Sequence, residues 1–372
     1  MRLCVFSSDP LFKYYEKGEV KKRYWNPEGL FDEVCVFSFC ARDVEADKVQ
    51  DLAGEARLEI VPLGAPGLLA TAAQIRRATA HLRRFRPDVM RVHNPWHAGL
   101  VGLSAARRLG IPSVLSLHTH YDARRRWEKR PLLNLLRWAE RWTVPRADAV
   151  WCVSRYLEGY ARGMGARQVE VIYNRVYCAD FDPGALRQRP GARPVILCLA
   201  RLDPPKDQAL LVEALVGLDA ELVLAGDGEN RSALEGLTRR LGVEDRVRFV
   251  GALPHKQVPA CYAGADIFAL ATHYEGFGIP VLEAMAAGLP VVASQVEPLP
   301  EILGGTGWNV ANSAEAFRSA FNEIIADWPA ARARAEAGRA RAETLDGALV
   351  ERQEADLYRR LAGRSAGAAA AG

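Results

Sequence analysis

Short apolar runs alternate with stretches of helical periodicity along almost the whole chain, and few folds accommodate that alternation. In the first half RLCVFSS, EVCVFSF, RLEIVPL, DVMRVHN, SVLSLHT, AVWCVS and EVIYN read as strands, and in the second half PVILCLARL, AELVLAGDG, RVRFVGAL, DIFALAT and PVVAS do. Helices fit between the early strands at Leu69–Phe85, Ala98–Leu109, Leu132–Arg141 and Arg155–Arg162. Strand–helix alternation predicts parallel sheets covered on both faces by helices. The pattern breaks near Val176–Arg193, where DFDPGALRQRPGARP is rich in proline, glycine and charge. A chain of 372 residues is long enough for two separate cores. The expected organisation is therefore two α/β domains, residues 1–178 and 179–345. A helix at 346–363 and a disordered tail at 364–372 follow.

The most informative motif lies in the second half, in HYEGFGIPVLEAMAAGLPVVAS, from His273 to Ser294. Gly276 and Gly278 let backbone approach a ligand closely. Pro280 suits the first turn of a helix, where its missing N–H would be unpaired anyway. Gly288 and Pro290 end that helix before the strand VVAS. Backbone N–H groups at a helix start beside a glycine loop form an anion site. Glu275 precedes the helix and Glu283 stands about one turn inside it. Two carboxylates beside an anion site make sense when the ligand carries hydroxyls as well as phosphate. Upstream, strand Val195–Ala200 delivers Arg201 at its end, and Lys206 precedes the next helix. Two cations so placed can neutralise a diphosphate, or make ordinary surface ion pairs.

This spacing resembles the E-x7-E signature of retaining glycosyltransferases of family 4, which have the two-domain GT-B fold. The resemblance implies two Rossmann-like domains facing each other across a crevice, with the 346–363 helix packing back on the N-terminal domain. It implies that Glu275 binds hydroxyls of the donor sugar and Glu283 the ribose, and that Gly276, Phe277 and Gly278 lay amides on the diphosphate. Arg201 and Lys206 match the cations of the family's GRLxxxKG segment, although Ala200 and Asp207 replace its glycines. FVGAL, containing Gly251, matches the segment whose backbone meets the nucleobase. His118, at the end of SVLSLHT, matches a strand-end histidine beside the reacting carbon. His93, Asn94 and His97 are weaker acceptor-side candidates. The implied activity is transfer of a sugar from a nucleotide diphosphate sugar to an acceptor hydroxyl by front-face attack, with catalytic His118 and Glu275. UDP is expected on family frequency alone. The acceptor, whether saccharide, lipid-linked or small molecule, is unspecified.

Two features depart from the family pattern. The common Gly-Gly pair after the first strand is absent. SSDPLFKYYEKGEVKKRYWNP stands there instead, either shaping an acceptor pocket or forming a basic surface loop. Arg175 replaces the usual glycine of Asn-Gly-Val. Asp180-Phe181-Asp182 is a D-x-D, but it falls in the linker, so neither a metal nor any other cofactor is expected. Ala123–Arg146 carries eight basic residues, two acidic residues and three tryptophans. It reads as a membrane-surface helix or, preferably, as a core-facing helix with a charged outer side, because Pro131 interrupts it.

The net charge of +4 suits anionic small molecules and does not demand nucleic acid. Seven scattered cysteines without a CxxC suggest free thiols in a reducing cytosol. The expected location is cytoplasmic, extended at most to a weak peripheral contact with the inner membrane face. Two other functions are compatible with the pattern. A sugar-nucleotide 2-epimerase shares the fold, and a non-catalytic partner subunit would carry degenerate donor residues, which these are not.

Overall fold

The computed structural model describes residues 1–129, 131–181 and 193–370, without the side chains of residues 68, 131, 132 and 364–370. Most of the expected linker, including Asp182 of the D-x-D, lies outside the described residues.

The chain forms two compact units, each built on one parallel sheet. The first sheet has seven strands: β1 (Arg2–Phe6), β2 (Glu33–Ser38), β3 (Arg57–Pro62), β4 (Val89–His93), β5 (Ser113–Leu117), β6 (Ala149–Cys152) and β7 (Val169–Val171). Their spatial order is β3-β2-β1-β4-β5-β6-β7. The second has six: β8 (Val195–Leu199), β9 (Glu221–Ala225), β10 (Val247–Gly251), β11 (Ile267–Leu270), β12 (Val291–Ser294) and β13 (Trp308–Val310), in the order β10-β9-β8-β11-β12-β13. Each sheet reverses direction beside its own first strand, at β1/β4 and at β8/β11. Ligands of open α/β sheets bind at the carboxyl ends of the strands at such a switch point. Central strands are buried on both faces, so β11 is wholly apolar and β12 nearly so, while β4 and β5 bury Arg91, His93, Ser113 and Ser116 among their apolar residues.

Four expectations need correction, and one strand went unread. The units divide at Tyr173/Asn174 and again at Leu349/Val350, not at 178/179 and 345/346, and Tyr121–Trp127 belongs to the second unit. The expected helix Leu132–Arg141 is two short helices, Pro131–Leu135 and Arg137–Thr143. β13 has only three residues, one of them polar, too short for a period to register. The aromatic insert after β1 is not a loose surface loop. Its helix Leu11–Glu16 has the amides of Leu11 and Phe12 bound by the Asp43 carboxylate at 2.9 and 2.8 Å. Trp25 is fully buried in the first core, with the Tyr14 and Tyr24 rings against it. Finally, the helix Gly347–Ala370 runs into the segment expected to be a disordered tail, whose side chains, like residues 371–372, lie outside the described residues.

That last helix supplies Val350, Leu357, Tyr358 and Leu361 to the core of the first unit. Arg91 of β4 is almost wholly buried beneath it. Its guanidinium lies 3.9 Å from the centre of the Trp151 ring, and its Nη1 is 3.8 Å from Glu354 Oε2. A charge so buried holds only when paired.

In the basic, tryptophan-rich stretch, Ala139, Glu140 and Thr143 face inward, and the Glu140 carboxylate accepts from Trp96 Nε1 at 2.8 Å and from the Tyr160 hydroxyl at 2.5 Å. Leu135 and Trp138 face solvent. Among the described residues no helix is long and apolar enough to cross a membrane.

Candidate donor site

In the second unit the site grows from two loops at the β8/β11 switch point. After β8 the chain folds back so that Asp207 N–H donates to the Ala271 carbonyl at 3.0 Å, while His273 N–H donates to the Pro205 carbonyl at 2.8 Å. Lys206 and Thr272 form a bridge between the same loops. This main-chain zipper fixes where Lys206 points, and its ammonium makes an ion pair with Glu275 Oε1. The two side chains are 20% and 12% exposed, so water screens the pair only partly. Burial, with the Arg201 charge adding to it, lowers Lys206 from its ordinary value to about 8. Arg201 itself stays in solvent, 75% exposed, with Nη2 2.7 Å from Asp203 Oδ2.

Glu275 leads into the glycine loop. Phe277 is buried and anchors the loop in the core. Gly278 has φ +96°, and a Cβ there would come within 2.5 Å of Leu299 Cδ2. A side chain is therefore excluded by both backbone and space. Gly278 caps the helix Ile279–Ala286, with Pro280 in the first turn. The Gly278 and Ile279 amides have no hydrogen-bond partner among the described residues. Glu283 faces inward one turn later, buried, with the Tyr262 hydroxyl 2.9 Å from its Oε2. Burial and the Glu283 charge push the Tyr262 phenol well up, so it remains a donor.

Gly251 ends β10 at φ +75°, and its carbonyl accepts from Gly226 N–H at 2.8 Å. Gly226 is pressed on the backbone after β8: a Cβ would fall 2.0 Å from the Ala200 carbonyl oxygen. The Gly226–Gly228 turn is thus a packing device that holds Arg201 and Leu202 in place.

His118 lies in the first unit, just past β5. Its ring stacks on that of His93, with centroids 5.6 Å apart and planes 4° apart. Both Nε2 atoms are buried without a hydrogen-bond partner among the described residues. Burial, with Arg91 nearby, depresses His118 to about 3 and His93 well below its ordinary value, so both rings are neutral near pH 7. His97 Nε2 is 2.7 Å from Gln74 Oε1, and Asn94 Oδ1 accepts from Trp96 N–H, so these two are engaged locally.

Of the residues singled out by sequence, the structure brings Lys206, Glu275, Gly276, Phe277, Gly278 and Glu283 onto one loop–helix–loop assembly. Arg201 stands aside on Asp203, Gly251 belongs to the neighbouring turn, and His118 sits in the other unit. Sequence reasoning missed Tyr262, whose signal is only a tyrosine in an ordinary helix. It also left His273 without a role: its Nε2 is 2.9 Å from Asp207 Oδ2, and the Trp127 ring stacks on it at 4.0 Å.

Comparison with known proteins accords with this geometry. Residues 186–341 match the family described as glycosyl transferases group 1, and residues 30–179 match glycosyltransferase family 4. A glycogen synthase from Mycobacterium tuberculosis is 30% identical over 289 residues, covering 74% of this chain and 69% of that protein. A GDP-mannose-dependent alpha-(1-6)-phosphatidylinositol monomannoside mannosyltransferase from Mycolicibacterium smegmatis is 35% identical over 259 residues, covering 63% and 66%. Among solved structures, a sucrose-phosphate synthase from Thermosynechococcus elongatus superposes with TM-score 0.79 at 22% identity, covering 97% of this chain and 99% of that one. Anabaena HepE in complex with UDP and glucose gives 0.76 at 22% identity, covering 96% and 99%. With its two parallel sheets and its matches in both halves, the chain belongs to glycosyltransferase family 4 and has the GT-B fold.

Proposed function

We propose that this glycosyltransferase moves a sugar from a nucleotide diphosphate sugar to an acceptor hydroxyl with retention of configuration and without a metal. The observation that carries the reading is the Lys206–Glu275 pair at the switch point, beside the helix that starts at Gly278. Lys206, Arg201 and the amides at that helix start neutralise the leaving diphosphate, so charge developing on it is met by groups already in position. Glu275 exchanges its ammonium partner for hydroxyls of the sugar, and Glu283 holds the ribose with Tyr262 orienting its carboxylate. A neutral His118 contributes a hydrogen bond from Nε2 rather than a full positive charge.

The nucleobase is read by main chain around Gly251. UDP is the family expectation, and GDP is the base in the name of the mannosyltransferase relative, so both belong in the test. Calorimetry and thermal shift with UDP, GDP, ADP and their common sugars, with and without EDTA, should show one nucleotide class binding with unchanged affinity in EDTA. Lys206→Ala and Glu275→Ala should then transfer sugar at a small fraction of the wild-type rate. Absence of binding by every nucleotide would overturn the donor-site reading.

A further inference from the structure

A second cluster of reactive side chains stands on the first sheet and takes no part in the donor site. Cys4, Cys35 and Glu59 are register partners on β1, β2 and β3, so their side chains leave the same face in one row. His81 descends on this row from the helix Leu68–Phe85. Its Nε2 lies 3.6 Å from Cys35 Sγ and 3.3 Å from Glu59 Oε2. The ligand atoms of Cys35, Glu59 and His81 are all within 4.8 Å of one another.

One ring nitrogen therefore faces both a thiol and an acceptor-only carboxylate. A proton on that nitrogen can serve only one of the two at a time, and the thiol also has the Cys4 sulfur beside it, whereas a cation among the three engages a lone pair of each at once. Ordinary zinc bond lengths in a tetrahedron separate sulfur from nitrogen by about 3.5 Å and nitrogen from oxygen by about 3.4 Å. The observed separations are close to these. A soft sulfur, an imidazole and one carboxylate suit zinc and not magnesium or calcium, which take oxygen ligands. Cys35 is buried, but the Glu59 side chain is 42% exposed, so the cluster opens to solvent on one side. The rings of Phe37 and Phe85 flank His81 and hold it over the row.

We propose that Cys35, Glu59 and His81 bind one zinc ion, with water in the fourth position, and that this ion fastens the helix Leu68–Phe85 to the β1–β3 edge of the sheet. The site stabilises the first unit and is separate from sugar transfer, which needs no metal.

The test uses the full chain, stripped with a chelator and dialysed. Zn2+ is titrated against a chromophoric zinc indicator, and Co2+ is followed by absorption. The expected result is a single ion per chain, a thiolate-to-cobalt charge-transfer band, and a melting temperature that rises with added zinc. Cys35→Ser should abolish the band. Glu59→Gln, a near-isosteric change on a side chain 42% exposed, should weaken zinc binding by about tenfold or more. Cys261→Ser in the second unit should change neither. Failure of the stripped wild type to take up zinc would overturn the proposal. So would a cobalt band that survives both Cys35→Ser and Glu59→Gln.

Discussion

The Lys206–Glu275 pair allows the structural and the donor-binding roles to be measured apart. Two opposite charges about 4 Å apart interact by roughly 4 kcal/mol at the effective dielectric of a protein surface. Breaking a buried pair by removing one partner costs about 3–5 kcal/mol. With 20% and 12% of these side chains exposed, water recovers part of that. Lys206→Met should therefore lower local stability by about 2–4 kcal/mol, because Glu275 is left half-sealed without a counter-charge. Glu275→Gln should cost about 1–3 kcal/mol for the converse reason. The double variant removes both charges, so it should be more stable than the sum of the single effects by about 2 kcal/mol. Hydrogen exchange followed by mass spectrometry on peptides spanning β8 and β11 reads this free energy locally, without assuming that two units unfold together. Sugar transfer should stay low in all three variants, including the stable double one. Additive stability effects, within about 0.5 kcal/mol, would refute the pair. Wild-type transfer by the double variant would refute its role in donor binding.

Other consequences are equally direct. Lys206 has its ammonium lowered to about 8, so nucleotide affinity should fall as pH rises through that value, and Lys206→Arg should flatten the profile measured by calorimetry between pH 7 and 9.5. His118 and His93 are held neutral in the fold, so the unfolded chain binds more protons than the native one below about pH 6.5. Stability of the first unit should therefore fall on acidification from that point, by about 1.4 kcal/mol per pH unit for each histidine until the folded value is reached, and the double variant His93→Gln, His118→Gln should show a shallower slope in denaturant melts. Gly226→Ala should sharply lower the melting temperature or the yield of folded protein, since its Cβ meets the Ala200 carbonyl. Gly236→Ala, in the middle of the helix Arg231–Leu241 with nothing within 4 Å, should raise stability by about 0.4–1 kcal/mol.

The strands were legible because parallel strands buried on both faces leave long apolar words such as RLCVFSS and DIFALAT. β13 left none, being three residues long. The helix start at Gly278 was legible from glycine and proline chemistry alone. Partnerships were not. Nothing in a linear string says that Lys206 meets Glu275, because the zipper joining their loops is made of main-chain bonds that any residues can form. Nor does it say that Tyr262 reaches Glu283, or that Cys35, Glu59 and His81 converge. That convergence depends on strand register and on how the helix after β3 sits over the sheet. The aromatic insert misled for a related reason: Tyr24 and Trp25 sit among lysines in sequence, while in space Trp25 is core and the lysines point outward.

The helix Gly347–Ala370 carries a consequence for biosynthesis. Although the first unit begins at Met1, its core is closed by Val350, Leu357, Tyr358 and Leu361, and its buried Arg91 meets Glu354 near the end of the chain. During translation the second unit, whose sheet is complete at Val310, has all its strands before the first unit can finish its core. The part made first is thus the part completed last. A ribosome that stops short of Val350 releases a chain whose first unit has an exposed apolar seam and an unanswered guanidinium, a state suited to recognition by chaperones and proteases.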